Sequence, residues 1–219
     1  MDANSIKIAI CGQIRAGKST ASEHLVHNHG FQTVSFGAEL KSHADKLFAF
    51  SDVYKSEPIV VDDEQFGGTR TIGKRKPRRL YQDFGEKLRE LDPNIWIGHA
   101  AEKVRLIELI AAANGEQARI VIDDLRQPNE YEWARANGFT IVRISADEET
   151  RLERAKAAGD DFSIEDLRHS TEMYVQDFEV DFDIWNGVGV ESAELERKID
   201  AILSELAYDG NGDVFYNVK

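Results

Sequence analysis

The chain is poor in the residues that mark several classes of protein. It has one cysteine, Cys11, among 219 residues, so no internal disulfide can form, and this fits a reducing compartment. No apolar run approaches the roughly 20 residues that span a bilayer, and Met1–Ile6 has no signal-peptide pattern. Basic residues are outnumbered, with 27 Lys and Arg against 40 Asp and Glu, and the formal net charge is −13. These features disfavour a membrane protein and a binder of nucleic-acid polymers, and they predict a cytoplasmic protein.

Short apolar runs alternate with helical patterns along the chain, which is typical of a parallel α/β sheet. The hydrophobic fraction of 42% is enough for one substantial core. Strands are predicted at Ile6–Cys11, Phe31–Phe36, Arg119–Asp123, Thr140–Ile144 and Phe182–Trp185. In chain order, the first helices are predicted at Lys18–Asn28, Ala38–Phe50 and Pro77–Leu91, and a fourth between Asp92 and Gly115. The others are predicted at Pro128–Asn137, from an N-cap at Ser145 to Ala157, after Ser163, and from Ser192 onward. Residues 51–76 follow neither pattern and are interpreted as an insertion or a mobile loop.

Residues 12–19, with the sequence GQIRAGKS, match the phosphate-binding pattern G-x-x-x-x-G-K-[ST] between a predicted buried strand and a predicted helix. Gly12 and Gly17 permit backbone conformations in which successive N–H groups, that of Ala16 included, wrap a phosphate. The helix N-terminus adds partial positive charge. Lys18 is expected to bridge the β- and γ-phosphates of ATP, and the hydroxyl of Ser19 to hold Mg²⁺. Cys11, directly before this P-loop, is interpreted as a small buried apolar residue rather than a reactive thiol.

A P-loop is shared by GTPases, ATPases and small-molecule kinases, so other features must separate them. The chain has no Asn-Lys-x-Asp segment of the kind that reads guanine. A motor or a helicase usually needs a longer chain. A kinase of small phosphorylated metabolites needs basic side chains for the acceptor phosphate, an acid near Mg²⁺ and arginines on a closing lid. All three can be proposed from this sequence.

Basic side chains for an acceptor are concentrated in one stretch of this acidic chain. Six of the ten positions 70–79 are Lys or Arg, and Arg78 is one of them. On the helix after Pro77, Arg79 and Gln82 lie on one face, where they are expected to meet a phosphate and the polar edge of a base. Lys41 is a second candidate for the phosphate. An ordinary solvated side chain is the competing interpretation for each residue.

The predicted acid lies at the end of a buried strand, where open α/β sheets bind their ligands. One carboxylate of Asp123 and Asp124 is expected to order the waters of Mg²⁺ or to accept a hydrogen bond from the acceptor, and Asp123 is the predicted metal residue. Arg126 is expected to pair with a substrate phosphate and to act in catalysis. Its competing interpretation is a structural ion pair beside a helix cap.

The predicted lid arginines, Arg151 and Arg154, lie one helical turn apart. Arginines on a flap that closes over the transferring group stabilise the developing charge and exclude water. A solvated helix, with Glu149 and Glu153 as partners of the arginines, is the alternative.

The segments RRLYQDFG at 78–85 and DLRQ at 124–127, with Glu130 after them, resemble the deoxynucleoside monophosphate kinases of phages and prophages. In that family both segments follow the P-loop in this order, and the match covers about Lys7–Ser145 plus the last strand and helix. The resemblance implies transfer of the γ-phosphoryl group of ATP to a deoxynucleoside 5′-monophosphate. It places Gly12, Arg15, Gly17, Lys18, Ser19 and Thr20 around ATP. It places Lys41, Arg79, Gln82, Asp124 and Arg126 around the monophosphate.

The sequence DIWNG at 183–187 is more similar to the adenine-side turn of dephospho-coenzyme A kinases, which leaves such a kinase, or another small-molecule kinase, open as an alternative. Asn186 is predicted to contact ATP there. Trp185 either flanks adenine or, as the preferred interpretation, is buried in its strand. A nucleotide-binding switch that hydrolyses ATP slowly is the alternative of a different class.

His24, His27 and His29 cluster near the end of the first helix and suggest a metal site. Their unequal spacing, and the absence of an identified carboxylate or cysteine partner, favour a surface or helix-capping role instead.

Together these features predict a P-loop NTPase fold, an α/β three-layer sandwich with a parallel five-stranded sheet. A single P-loop kinase domain is expected over residues 1–219, with an acceptor-binding insertion within 37–91, a helical lid at 146–173 and a C-terminal tail at 209–219. The expected partner is a small-molecule nucleotide, with no nucleic-acid polymer and no membrane, and the oligomeric state is open, a homodimer included.

Overall fold

The computed structural model describes residues 5–51, 58–62, 69–74, 77–158 and 170–207. The strands along the chain are β1 (Ser5–Cys11), β2 (Gln32–Val34), β3 (Pro58–Asp62), β4 (Thr69–Lys74), β5 (Ala118–Ile122), β6 (Thr140–Ser145) and β7 (Phe182–Trp185). The helices are α1 (Lys18–His29), α2 (Phe36–Leu47), α3 (Arg78–Leu91), α4 (Ile95–Asn114), α5 (Pro128–Ala136), α6 (Glu148–Ala157), α7 (Ser170–Asp177) and α8 (Ser192–Ala207).

Five parallel strands form one sheet in the order β2-β5-β1-β6-β7. β1 lies at its centre, and Ile8 is in register with Val121 of β5 on one side and with Thr140 of β6 on the other. Because helices cover both faces of such a sheet, a central strand is apolar throughout. Residues 8–11 are accordingly fully buried. The prediction of a parallel five-stranded α/β sheet is confirmed.

The chain divides into two units, one formed by Met1–Phe36 with His99–Lys219 and the other by Gly37–Gly98. The first unit contains the parallel sheet. Its core includes Ile10 and Val142 of the sheet together with Leu25 of α1 and with Leu195 and Ile199 of α8. The apolar spacing that predicted the last helix thus corresponds to its buried face.

The second unit contains α3, most of α2 and a hairpin in which β3 pairs antiparallel with β4. The hairpin corrects the interpretation of 51–76 as a loop, because residues 58–62 and 69–74 are strands. The β-branched residues of both segments favour this conformation. Gly85 of α3 lies against α2, since a Cβ there would come within 2.6 Å of Cδ1 of Leu40. Tyr81 of α3 donates a hydrogen bond of 2.8 Å to Asp45.

The start of α6 differs from the prediction. Asp147, not Ser145, is the N-cap, and its carboxylate accepts hydrogen bonds of 2.8 Å from both the backbone N–H and the hydroxyl of Thr150. Ser145 remains in β6, where strand pairing fixes its backbone. The helix predicted after Ser163 begins outside the described residues, which resume with α7 at Ser170. Within the described ranges, none of the helices combines the length and apolarity needed to cross a membrane.

Candidate active site

The P-loop follows the buried strand β1 and ends where α1 begins. Gly12, Arg15 and Gly17 have φ angles of 139°, 62° and 114°, all of them positive. Alternating left-handed residues curl a loop so that successive backbone N–H groups face one concavity, which is the geometry that binds phosphate. Arg15 adopts this conformation although it is not glycine, a strained state that concentrates at functional sites.

Two glycines of the P-loop are required by close packing as well as by backbone angle. A Cβ on Gly12 would lie 2.1 Å from the carbonyl oxygen of Ile144 in β6. A Cβ on Gly17 would lie 2.3 Å from the side-chain nitrogen of Asn186. The loop therefore rests directly on the ends of β6 and β7.

Asn186, the residue after β7, supports the P-loop through a side-chain hydrogen bond. Its side chain is only 5% exposed and donates a hydrogen bond of 2.8 Å to the carbonyl of Ala16. Its own backbone N–H donates to the carbonyl of Ser145 at 2.7 Å. The predicted contact of Asn186 with ATP stays a prediction. The supporting role was missed, since nothing in the local sequence pairs residue 186 with residue 16.

Lys18 is the first residue of α1, and its side chain lies against the loop. Its ammonium donates hydrogen bonds to the carbonyls of Gly12 at 2.6 Å and Gln13 at 2.9 Å. Lys18 is 9% exposed, whereas the neighbouring Ser19 is exposed and Thr20 is half-buried. A positive charge and an exposed hydroxyl thus lie at the N-terminus of one helix, as the chemistry of a bound triphosphate requires.

The two arginines of α6 differ in their surroundings. Arg151 is 5% exposed, and its Nε and Nη1 atoms are buried with no hydrogen-bond partner among the described residues. Arg154 reaches the P-loop, with Nη1 lying 3.4 Å from the carbonyl oxygen of Arg15 and 3.5 Å from that of Ala16. The alternative of a fully solvated helix is therefore wrong. A buried guanidinium without a partner is costly, and a bound anion would remove that cost.

The end of β5 carries the predicted acid and Arg126. The carboxylate of Asp124 accepts hydrogen bonds from the hydroxyl of Ser35 at 2.6 Å and from the backbone N–H of Phe36 at 2.9 Å. It thereby ties β5 to the segment after β2, a contact that the sequence did not indicate. Asp123 and Arg126 are half-buried at the same strand end.

Glu130 sets the backbone of the turn that carries Arg126. Its buried carboxylate accepts hydrogen bonds from the N–H groups of Arg126 at 3.0 Å and Gln127 at 2.9 Å. Gln127 and Glu130 also form a capping box at the start of α5. The three-residue spacing of these two side chains is a sequence signal for this cap.

The chain matches a family model described as AAA domain over residues 8–170, which is most of its length. The chain belongs to this AAA domain family. Among solved structures, TT1252 from Thermus thermophilus shares 20% identity with a TM-score of 0.52, over 94% of this chain and 100% of that one. The fold prediction of a P-loop NTPase is thereby confirmed.

Two solved kinases also align with this AAA-domain chain. Dephospho-CoA kinase from Campylobacter jejuni does so at 15% identity and a TM-score of 0.47, over 91% of this chain and 96% of that one. Shikimate kinase from Acinetobacter baumannii, in complex with shikimate, does so at 12% identity and a TM-score of 0.44, over 92% and 93%. None of the curated proteins compared with the chain matches it.

Trp185 in this AAA-domain protein is 53% exposed, so the preferred interpretation of a buried strand tryptophan is wrong. β7 is an edge strand, and side chains alternate along it, so Ile184 points into the core and Trp185 points away. Trp185 lines a cavity of about 300 Å³ together with Gly12 and Gln13 of the P-loop and with Val175 of α7.

Arg143 of β6 also lines this cavity and was not singled out from the sequence. It forms an ion pair with Asp183 of β7, with Nη2 and Oδ2 2.5 Å apart.

Cys11, the last residue of β1, is buried next to the P-loop. This burial raises the pKa of the Cys11 thiol to about 11, although the positive charges of Arg143 and Lys18 oppose this shift. The interpretation of Cys11 as an inert buried residue fits this environment.

The remaining predicted acceptor residues belong to the second unit. Arg79 and Gln82 are exposed on α3, and Nε of Arg79 lies 3.7 Å from Oδ2 of Asp83, one turn on. Lys41 is exposed on α2. Arg78 is the first residue of α3, and its side chain lies outside the described part of the structure, as do residues 75–76 of the basic stretch. The acceptor roles of these residues stay predictions.

Proposed function

We propose that this protein transfers the γ-phosphoryl group of ATP, with Mg²⁺, to a (deoxy)nucleoside 5′-monophosphate and releases ADP and the nucleoside diphosphate. The observation that carries the proposal is the buried guanidinium of Arg151, one turn from Arg154, whose own guanidinium approaches the P-loop carbonyls. A switch that only holds a nucleotide needs no pair of arginines beside the P-loop. Phosphoryl transfer needs such cations, because negative charge spreads over the equatorial oxygens of the transferring phosphoryl group.

The proposed reaction is a direct displacement. An oxygen of the acceptor phosphate forms a bond to the γ-phosphorus, the bond to the β,γ-bridging oxygen breaks, and its electron pair remains on ADP. A monophosphate oxygen is already nucleophilic near neutral pH, so no strong base is needed. Lys18, Arg151 and Arg154 bind and orient the charged oxygens. Mg²⁺, when bound, would neutralise charge at the β- and γ-phosphates, held by Ser19 and through water by Asp123.

The protein side of this proposal fits a triphosphate on two independent observations. The first is the positive φ angle at three positions of one short loop. The second is the pair of buried nitrogen atoms on Arg151, which have no hydrogen-bond partner in the part of the chain that the structure describes. A bound polyphosphate would offer acceptors to both features, which lie on different elements of the first unit.

The nucleotide acceptor is supported by the resemblance of RRLYQDFG and DLRQ to the phage and prophage kinases. The carboxylate of Glu130 fixes the backbone at Arg126, so the side chain of Arg126 leaves the chain from a defined position. Asp124 is committed to Ser35 and Phe36, and we propose that it shapes the acceptor side rather than moving a proton. Lys41, Arg78, Arg79 and Gln82 are proposed as further contacts to the nucleotide.

The test is ADP release with ATP and Mg²⁺ against a panel of dTMP, dGMP, dAMP, dCMP, dUMP, the ribonucleotides and dephospho-coenzyme A. Stimulation by one or more monophosphates is expected. Stimulation by dephospho-coenzyme A alone would keep the donor site and replace the acceptor. ATP binding without stimulation by any acceptor would contradict the kinase and favour the switch.

Two lysine variants separate the reaction from a contaminating activity. Lys18→Ala is expected to lower kcat by about 10³-fold or more, because the β- and γ-phosphates lose their cationic bridge. Lys103→Ala, on the exposed side of α4, removes one lysine without touching the loop and is expected to keep the wild-type rate. Equal rates in the wild type and Lys18→Ala would contradict the assignment of Lys18.

A further inference from the structure

Two imidazoles and a carboxylate converge near the end of α1 that is remote from the P-loop. Nε2 of His24 and Nε2 of His29 each lie 2.7 Å from Oδ1 of Asp200 in α8. The two Nε2 atoms are 3.4 Å apart. His29 is eleven residues from Lys18, about 16 Å along the helix, so the proposed phosphoryl transfer does not use this cluster.

We propose that His24, His29 and Asp200 form a binding site for a divalent transition-metal ion of the zinc type. Neutral imidazole nitrogens with one carboxylate oxygen are a donor set that suits zinc, and three protein ligands leave one position for water. The site joins α1 to α8. It is independent of the proposed kinase activity.

One of the three separations already suits a tetrahedral ion, and the other two are short by about 0.6 Å. Metal–nitrogen bonds of about 2.0–2.1 Å place two ligand atoms of a tetrahedron about 3.3 Å apart. The two Nε2 atoms already have this separation, at 3.4 Å. The carboxylate oxygen of Asp200 must withdraw by about 0.6 Å from each nitrogen to reach the same spacing. Its side chain is 46% exposed, so it has room on the solvent side for this movement.

The surroundings of His24 supply the second contact that metal-binding histidines make. A ligating imidazole donates its other N–H to an oxygen, which fixes the tautomer and the ring orientation. Nδ1 of His24 lies 2.9 Å from the side-chain amide of Asn28 and 3.8 Å from a carboxylate oxygen of Glu196. A rotation of the Asn28 side-chain amide by 180° would bring its oxygen to Nδ1 as the acceptor. A small movement of the Glu196 carboxylate toward Nδ1 would have the same effect.

The ring of His24 and the backbone of His29 are held in place before any ion binds. The side chain of His24 is 7% exposed, and packing between α1 and α8 fixes it. The backbone carbonyl of His29 accepts a hydrogen bond of 2.9 Å from Arg119. A site whose ligands are already positioned loses little conformational freedom on binding.

The competing explanation is a hydrogen-bonded brace in which both Nε2–H groups donate to Asp200. Burial raises the pKa of Asp200, but the hydrogen bonds and the charges of His24 and His29 together outweigh it, and the pKa is lowered overall. The two explanations place the protons differently. The brace needs a proton on each Nε2, whereas an ion needs the lone pairs of both atoms, so an ion that binds here must displace both protons.

The cluster also corrects an expectation from the sequence. The three histidines were interpreted as surface or capping residues because of their unequal spacing and because no carboxylate or cysteine partner was identified for them. Asp200 is that partner, and it comes from the last helix. A surface position is wrong for His24, which is buried. His29 is partly exposed at the end of α1, so its capping role stays a prediction, and His27 is exposed and lies outside the cluster.

The test uses the full chain, freed of metal with a chelator and without nucleotide. Zn²⁺ is titrated by calorimetry, and Co²⁺ is added separately and followed by its visible absorption, which reports the coordination geometry. One equivalent of Zn²⁺ is expected, with tetrahedral Co²⁺ bands and a higher unfolding temperature. His29→Gln and Asp200→Asn are each expected to weaken binding at least tenfold.

His27→Gln is the matched control, because it removes one histidine of the same helix from outside the cluster. It is expected to bind Zn²⁺ as the wild type does. Absence of saturable binding in the wild type, or equal losses in His27→Gln and His29→Gln, would overturn the proposal. Circular dichroism confirms folding, and if Asp200→Asn fails to fold, His29→Gln, at a partly exposed side chain, decides the outcome.

Discussion

The side-chain amide of Asn186 donates a hydrogen bond of 2.8 Å to the carbonyl of Ala16, linking two residues 170 positions apart in the chain. The same amide nitrogen occupies the space that a Cβ on Gly17 would need. The shape of the P-loop is therefore fixed both by its own sequence and by the residue that leaves the last strand of the sheet.

Asn186→Ala is expected to destabilise the protein and to weaken ATP binding. The carbonyl of Ala16 loses its buried donor, which costs about 1–3 kcal/mol of unfolding free energy. A looser loop also raises KM for ATP. Urea unfolding and ATP titration measure the two effects. Asn114→Ala, at an exposed helix end, is the control and is expected to change stability by less than about 0.5 kcal/mol.

Gly12→Ala and Gly138→Ala form a matched pair. Both positions have positive φ, of 139° and 74°, but only Gly12 has an atom within 4 Å of the added Cβ, the Ile144 carbonyl oxygen at 2.1 Å. Gly138→Ala is expected to cost about 1–2 kcal/mol from backbone strain alone. Gly12→Ala is expected to cost more and to abolish ATP binding, because the loop must move. Equal losses of unfolding free energy in the two variants would show that the close approach of Gly12 to β6 does not contribute to stability.

Arg151→Met is expected to separate activity from stability. The guanidinium is buried, and two of its nitrogen atoms have no hydrogen-bond partner within the described ranges, so replacing it with an apolar side chain of similar length is expected to be neutral or stabilising for folding. If Arg151 stabilises the transferring phosphoryl group, kcat falls by about 10³–10⁵-fold. Steady-state kinetics and thermal unfolding are measured on the same sample. Arg197→Met, on the exposed surface of α8, should leave both quantities unchanged. A large loss of stability in Arg151→Met would mean that the arginine has a structural role.

Cys11 is expected to resist alkylation in the folded protein at about pH 8, because burial raises its pKa from 9.0 to about 11. The sign of the linked effect on stability follows from the same shift. Below about pH 9 the thiol is protonated in both states, and between about pH 9 and 11 only the unfolded state loses the proton. Unfolding free energy should therefore fall by roughly 2–3 kcal/mol over this interval. Cys11→Ala removes this component, so a comparison of the two pH profiles by urea unfolding isolates it.

Local pattern was sufficient for most of the first unit. The continuous apolar run of β1 predicted a central strand, and the positions that face inward on α4, such as Ala100, Val104 and Ala111, follow the spacing of a helix. The P-loop has a sequence signature because its backbone angles demand glycine at fixed points. Each of these features is determined by residues that are close together in the chain.

Features that depend on distant pairing were not accessible in this way. The partners of Ala16, His24 and Asp124 are Asn186, Asp200 and Ser35, and no spacing rule connects them. The exposure of Trp185 depends on the place of β7 at the sheet edge, which the strand order alone decides. These contacts are products of the tertiary fold, so local propensity carries no information about them.

The central place of β1 has a consequence for the synthesis of the protein. The chain leaves the ribosome from its N-terminus, so β1 is made first, yet both of its neighbours, β5 and β6, lie in the second half of the sequence. The nascent chain must carry an apolar strand without a partner until residue 118 has emerged, a period in which unpaired strands are prone to aggregate. Slow folding and dependence on chaperones during translation are the expected cost of building the phosphate site on the first strand of the chain.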